Sequence, residues 1–562
     1  MVYVYAKLSE LNKYIGTELT TKEIKDTLSD MGMDIKGESK EQDPELKVEI
    51  TAEKMDMVSS VGIGRAIKYY RGLATELPKY ELKTSGFKLK VLKSAKDVRP
   101  VTVCALIKNA PMTQELLNEI IEIQEKMHAS FGRNRKKAAI GIYPLSEITF
   151  PITFGAEDPS DIIFRPLEMS EKVNGHDILK KHETGKKYAH LLDHCDMYPV
   201  FRDDEGKVLS MPPIINSHDT GRVDISHKDF FIECSGHNLV HLDNILKVLV
   251  TTLIEMGCEA ESIEVEYEDQ NNYILNLDSY TDVVNLDYIN KLIGINIDKE
   301  EVKTLASKVM FNVKNITEDG DITFEIPAFR NDIWDDSDIA DDIARAYGYN
   351  NIVPTFPSIS SVGEHIPFSQ FKESITENMI RLGFLETYTY MLTSTQVQFK
   401  DMGIDENKYS YIKISDSAEQ GINMVRLQIL PETLTTLRIN RKNKYPQKIF
   451  ENGLTIQPDE EVDTGAKNES HLCVAIADPK SNYTQIKGVL DTVFKLEGID
   501  FKVEESDLDF LIEGRRANIF VKGHNVGFIG ELHPQILENF SLIVPVSVLE
   551  INLEKVWELI NY

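Results

Sequence analysis

Four aspartates in the stretch FRNDIWDDSDIADDIARAYGYNNI, Asp332, Asp338, Asp341 and Asp342, are spaced so that their carboxylates could gather. Residues at i, i+3 and i+4 share one helix face, so Asp338, Asp341 and Asp342 are expected to converge, with Asp332 approaching from the strand end. Carboxylate oxygens are hard ligands that suit Mg2+ or Ca2+. The competing reading is compensation of the helix dipole, to which a first-turn acid contributes ~0.3–1 kcal/mol. Ser337 suits the cap position, which puts Asp338 in the first turn and leaves Asp335 and Asp336 just outside it.

These residues sit in a chain of 562 amino acids, too long for one core, since single cores stop growing near ~250–300 residues. The fold class expected is α+β multidomain. No window approaches the ~18–20 apolar residues of a bilayer span, and the charged N-terminus is unlike a signal peptide, so the chain is expected to be cytoplasmic with no membrane contact. The five cysteines are scattered without a C-x-x-C pair and read as reduced and buried. A formal charge of −29 argues against a general nucleic-acid binder. Two basic patches stand apart, Arg133, Arg135, Lys136 and Lys137 in FGRNRKK, and Arg438, Arg441, Lys442, Lys444 and Lys448 in LRINRKNKYPQK; each reads first as a solvated face.

Patterning divides the chain into four. Residues 1–77 read as an α+β module, with helices in 8–37 capped near Thr20 and Thr21 and another in GIGRAIKYYRGL. The Lys-rich stretch from Pro78 to Lys90 reads as a linker. Residues 91–268 are β-rich, with short runs such as VTVCALI and KDFFIECSG divided by turn signals and interrupted by the helices MTQELLNEIIEIQEKMHASFG and HLDNILKVLVTTLIEMG. Residues 271–350 read as a small α/β module, strand YILNLD, two helices, strand ITFEIP, then the acidic helix. Residues 358–562 alternate helices with strands, LETYTYMLT among them.

The string IPAFRNDIWDDSDIADDIARAYGYNNIVP resembles the signature of the phenylalanyl-tRNA synthetase beta subunit of archaeal and eukaryotic type, P-x-x-R-x-D-I leading to D-[IL]-x-E-[ED] and A-R-x-Y-G-Y-[DN]-N-I. MVRLQILPETLTTLRINRKNKYPQKIFENG is similar to a segment of that family's synthetase-like domain, and RNRKKAAIGIYPL, IIFRPLEM and VLSMPPIINS to its editing domain. The resemblance covers nearly the whole chain. It implies a magnesium ion held by Asp332, Asp338, Asp341 and Asp342 and shared with an alpha subunit, although Asp341 and Asp342 stand where Glu is usual. It implies an α2β2 assembly with the alpha subunit, tRNA(Phe) as the nucleic-acid partner, and ATP used at the alpha-subunit site.

It also implies a β-rich editing domain and a catalytically inactive class II synthetase-like domain built on an antiparallel sheet. Aminoacylation needs a motif-2 arginine on the strand after the helix and a glycine-rich arginine motif near the end. FENGLTIQPDE carries no Arg at the first place, and the chain finishes LEINLEKVWELINY. A hydrophobic pocket rejects an added hydroxyl by only about 10²-fold, so a second, hydrolytic site is useful for removing tyrosine. Ser210 and Asn216 in VLSMPPIIN can hydrogen-bond a phenol and, by the resemblance, line that site, with Phe201 as a wall. A turn whose side chains satisfy backbone groups is the competing reading. No nucleophile with an adjacent base is visible, so a bound water and the tRNA ribose hydroxyl are expected to cleave the ester. His128, His218 and His237 read as structural or surface residues, and Gly527, Gly530 and His533 as turn and packing residues. The alternative function is a scaffold that positions tRNA and whose editing site has decayed.

Overall fold

Thr20 opens the helix Thr21–Asp30 with a capping box, its hydroxyl accepting from the Glu23 N–H while the Glu23 carboxylate accepts from the Thr20 N–H. That helix and Leu8–Ile15 and Ser60–Tyr70 pack on an antiparallel sheet in the order Val2–Lys7, Glu45–Ile50, Asp34–Glu38. The computed structural model describes every residue except Met1, Ser358, Ser360, Asp416, Ala418, Gln420 and Tyr562. Two units result, Met1–Phe356 and Pro357–Tyr562.

In the first unit the apolar side chains of the N-terminal module, Leu11, Ile24 and Ile67 among them, run without a break into the core of a nine-stranded sheet. Its order is Ile215–Asn216, Val208–Met211, Tyr198–Arg202, Ile152–Glu157, Leu82–Val91, Glu259–Tyr267, Val101–Lys108, Phe230–Gly236, Ala138–Pro144. The strand Leu82–Val91 corrects the expected linker: it lies inside the sheet, parallel to Glu259–Tyr267. Its lysines face solvent, Lys83 paired with Glu259 and Lys88 with Glu264 and Glu266, and this outward charge hides the strand in the sequence. The helices Gln114–Ala129 and Leu239–Glu255 contribute Ile120, Ile123, Leu246 and Leu249 to the same core.

The small module has its own core around Ile289, Phe324 and Ile343. Its sheet runs Tyr280–Asn285, Asp321–Ile326, Asn312–Ile316. The expected strand YILNLD is an extended connection instead, tied to the large sheet by one bridge, Val265 to Tyr273, and the edge strand follows it. The acidic helix is Asp336–Tyr347, and its cap is Asp335, not Ser337.

The second unit is built on a seven-stranded sheet, in the order Leu385–Glu386, Gln447–Pro458, Ala466–Ala477, Val546–Asn552, His524–Leu532, Leu511–Val521, Phe501–Glu505. All neighbours are antiparallel but the first pair. Period-two alternation gives the sheet two buried faces. Leu472, Val474 and Ile476 join the core with the helices Pro367–Arg381 and Tyr483–Leu496, while Cys473, Ala475 and Ala477 join that of Leu430–Ile439. Of the strand expected in LETYTYMLT, two short pieces form, Leu385–Glu386 and Leu392–Thr393, with Tyr388 and Tyr390 exposed between them.

Candidate functional site

The nine-stranded sheet curls until its ends face one another. Tyr143, on the end strand Ala138–Pro144, brings its hydroxyl 2.8 Å from Ser210 Oγ, on the strand next to the opposite end. Between these ends lies a cavity of about 720 Å3 lined by Ser210, Pro212, Asn216, Glu233, Arg135 and His128 among others. The two residues proposed from the sequence are cross-strand partners, Ser210 directly opposite Asn216. Phe201 is opposite Ser210 on the other side, but its ring is buried in the core, stacked on Phe154, and does not line the cavity.

Glu233 is the residue the sequence reading missed. It lies on Phe230–Gly236 and is 2 % exposed. Its Oε1 stands 3.1 Å from the Tyr143 hydroxyl, while Oε2 is buried without a hydrogen-bond partner among the described residues. Burial pushes its carboxyl up to about 8, against the opposing pull of Tyr143, Arg99 and the Ser235 side chain. Tyr143 has one hydrogen and two oxygens to serve; a protonated Glu233 can donate in its turn, which leaves an acid and a serine hydroxyl side by side in an apolar recess. Every residue of FFIECSG is buried, and the run has no period-two alternation that would assign Glu233 to a face.

Toward the mouth, the Asn216 amide makes no hydrogen bond among the described residues and is half-buried. Gly221 permits this placement, since a Cβ there would stand 2.9 Å from Asn216 Cβ. Of the basic residues of FGRNRKK, Arg133, Lys136 and Lys137 are exposed as a solvated face requires, and Arg135 departs from that reading. Its guanidinium turns inward, donating to the Ile214 carbonyl at 2.9 Å and to Glu125 at 2.8 Å, and so fixes the turn between Ser210 and Asn216. His128 is neutral and structural: burial lowers its pKa, its Nε2 accepts from the Ile140 N–H at 2.7 Å, and its Nδ1 faces Glu125 at 3.0 Å. With that lone pair used, it is no general base. His218 also lines the cavity, beside Arg165; His237 does not line it.

The four aspartates do not converge as their spacing predicts. Asp338 turns back to the helix start, accepting from the Trp334 N–H at 2.7 Å and the Asp335 N–H at 2.9 Å. Asp341 pairs with Arg345 and the Tyr349 hydroxyl at the surface. Asp332 and Asp342 do meet, but on Arg330 and Lys54. Burial would raise both carboxyls, yet the two cations hold them below the ordinary carboxylate range. Among the described residues no group of three or more His, Cys, Asp or Glu could hold a metal ion, so this arrangement does not fit one divalent cation bound by all four. The convergence fails because caps and i,i+4 cations claim Asp338 and Asp341 first. Arg330 was legible in FRND; Lys54, 278 positions away, had no sequence signal.

In the second unit the strand Gln447–Pro458 carries Glu451, which pairs with the buried Arg426 at 2.7 Å. Gly527 is a packing residue, because a Cβ would stand 2.1 Å from the Glu550 carbonyl oxygen; Gly530 likewise lies against Leu511, and His533 caps the helix Pro534–Asn539. Half of LRINRKNKYPQK is exposed, including Lys442, Lys444 and Lys448, while Arg438 and Arg441 are half-buried.

The family models point to a tRNA synthetase. Residues 283–349 match the tRNA synthetase B5 domain, and residues 352–553 match the phenylalanyl tRNA synthetase beta chain CLM domain. The phenylalanine--tRNA ligase beta subunit of Pyrococcus horikoshii is 38% identical over 502 residues, 89% of each chain, and that of Pyrococcus furiosus 35% identical over 552 residues, 98% of each. A solved N-terminal fragment of the Pyrococcus horikoshii phenylalanyl-tRNA synthetase beta-subunit aligns with a TM-score of 0.59 at 35% identity, covering 62% of this chain and 100% of the fragment. The chain belongs to the phenylalanyl-tRNA synthetase beta subunit family. Among the described residues no helix is long and apolar enough to cross a membrane.

Proposed function

We propose that this chain is the beta subunit of a phenylalanine--tRNA ligase. With an alpha subunit it supports ATP-dependent attachment of phenylalanine to tRNA(Phe), ATP being used at the partner's site, and its cavity hydrolyses tyrosyl-tRNA(Phe). The observation that carries the hydrolytic role is the unpartnered Oε2 of Glu233 beside Ser210. A tyrosine ring entering the cavity brings a phenolic hydroxyl that can donate to and accept from these two groups. A phenylalanine ring seals them from water and leaves them unpaired, and a site built to bond a hydroxyl rejects the analogue lacking it by ~10⁴–10⁵. The pocket therefore prefers the mischarged product.

At the mouth the free Asn216 amide orients the ester carbonyl and a water molecule. Water adds to that carbonyl and the bond to the ribose oxygen breaks, giving tyrosine and uncharged tRNA. Arg135 keeps the turn bearing Asn216 in place through the Ile214 carbonyl. The complex with its alpha partner is assayed for release of tyrosine and of phenylalanine from tRNA(Phe). Glu233→Ala lowers the tyrosine-to-phenylalanine rate ratio by about 10²-fold or more, and Asn216→Ala abolishes both releases while charging continues. An unchanged deacylation rate in both variants removes the hydrolytic role and leaves a scaffold. Charging of tRNA by this chain without the partner overturns the division of labour.

A further inference from the structure

Residues 1–77 lend one cation to the acidic helix. Lys54 Nζ lies 2.6 Å from Asp332 Oδ2 and 3.4 Å from Asp342 Oδ1, and its side chain is 10% exposed against 5% for each aspartate. Arg330 completes the cage, with Nε 2.8 Å from Asp332 Oδ1 and a terminal nitrogen on Asp342 Oδ2. Arg345 faces Asp342 Oδ1 at 3.8 Å. All four oxygens of the pair thus face protein cations. Mg2+ needs near-octahedral oxygens at about 2.0–2.1 Å and sheds water reluctantly. The cavity beside the cluster is about 40 Å3, room for about one water. An ion reaching this pair would have to expel the ammonium.

We propose that Lys54 is a built-in substitute for a divalent cation. Its ammonium closes the Asp332–Asp342 pair and fastens the N-terminal residues to the acidic helix, so neither the charge balance of the pair nor that attachment depends on metal. The same geometry explains why Asp332 and Asp342 can be enclosed at all: the balancing charge comes from a distant module and from Arg330, not from solvent ions. Removing the ammonium while keeping the stem leaves two buried carboxylates sharing the Arg330 guanidinium, with Arg345 3.8 Å from Asp342 alone, which is the arrangement that draws in a small divalent ion.

The test uses the full-length chain with its alpha partner, as wild type, Lys54→Met and Lys54→Arg, dialysed against EDTA and then desalted. Bound metal is counted by mass spectrometry, and unfolding midpoints are taken in EDTA and in millimolar Mg2+. Wild type and Lys54→Arg retain no ion at this pair and unfold at the same temperature in both media. Lys54→Met unfolds several degrees lower in EDTA, and Mg2+ restores part of the loss with uptake of an ion that Asp332→Asn prevents. The proposal is overturned if wild type holds an ion that Asp332→Asn or Asp342→Asn removes, or if Lys54→Met matches wild type in EDTA. Should Lys54→Met fail to fold in either medium, the metal content of wild type, Asp332→Asn and Asp342→Asn decides.

Discussion

The Asp332–Asp342 pair and Glu233 are buried acids of the first unit that are handled in opposite ways. Asp332 and Asp342 are neutralised oxygen by oxygen by Arg330 and Lys54, and hydrogen bonds hold them ionised. Glu233 keeps one oxygen without a hydrogen-bond partner among the described residues, and burial drives it toward the protonated form. A buried charge with all its partners is structure; a buried polar atom without one still has a hydrogen bond to give or take. The spacing of acids in the sequence directs attention to the first group, whereas the cavity belongs to the second.

The sharpest way to break this contrast is Arg330→Ala, which leaves two buried carboxylates with Lys54 and the more distant Arg345. It costs about 3–5 kcal/mol in denaturant unfolding of the first unit, as for breaking a buried ion pair; a loss below about 1 kcal/mol would show that solvent already balances the pair. Glu233→Gln, of nearly equal volume, leaves stability within about 1 kcal/mol of wild type or raises it at neutral pH, because it removes a group that folding strands. The pH dependence sharpens the point. A carboxyl whose folded pKa is raised binds more protons folded than unfolded, so its contribution to stability falls as pH climbs from about 4.3 toward 8. The unfolding free energy of wild type minus that of Glu233→Gln should decline across this window and level off above it. Smallest is Asp338→Ala, which removes a capping-box partner at the surface and costs about 1 kcal/mol in the same unfolding assay, well short of Arg330→Ala.

Part of the fold was readable because it is local. The capping box at Thr20, the apolar stripes of Gln114–Ala129 and Leu239–Glu255, and the turn between Tyr198–Arg202 and Val208–Met211 depend on neighbours within a few residues. The strand Leu82–Val91 was not readable, since its lysines find their glutamates about 175 positions later, on Glu259–Tyr267. Ser210 and Asn216 could be named because VLSMPPIIN resembles a segment of the family's editing domain, and the short turn sets them opposite each other. Glu233 and Tyr143 could not, because their roles exist only when the ends of a nine-stranded sheet meet.

Taken alone, the sequence determined which acids are available, where the helix that carries them starts to within two residues, and which pair of polar side chains flanks a turn. These are matters of hydrogen bonds and periodicity over less than about ten residues. Tertiary structure decided which acids are neutralised and which is left wanting a partner. Burial and charge balance depend on side chains such as Lys54 and Tyr143 that reach the site through space, and no local pattern records the distance they cover.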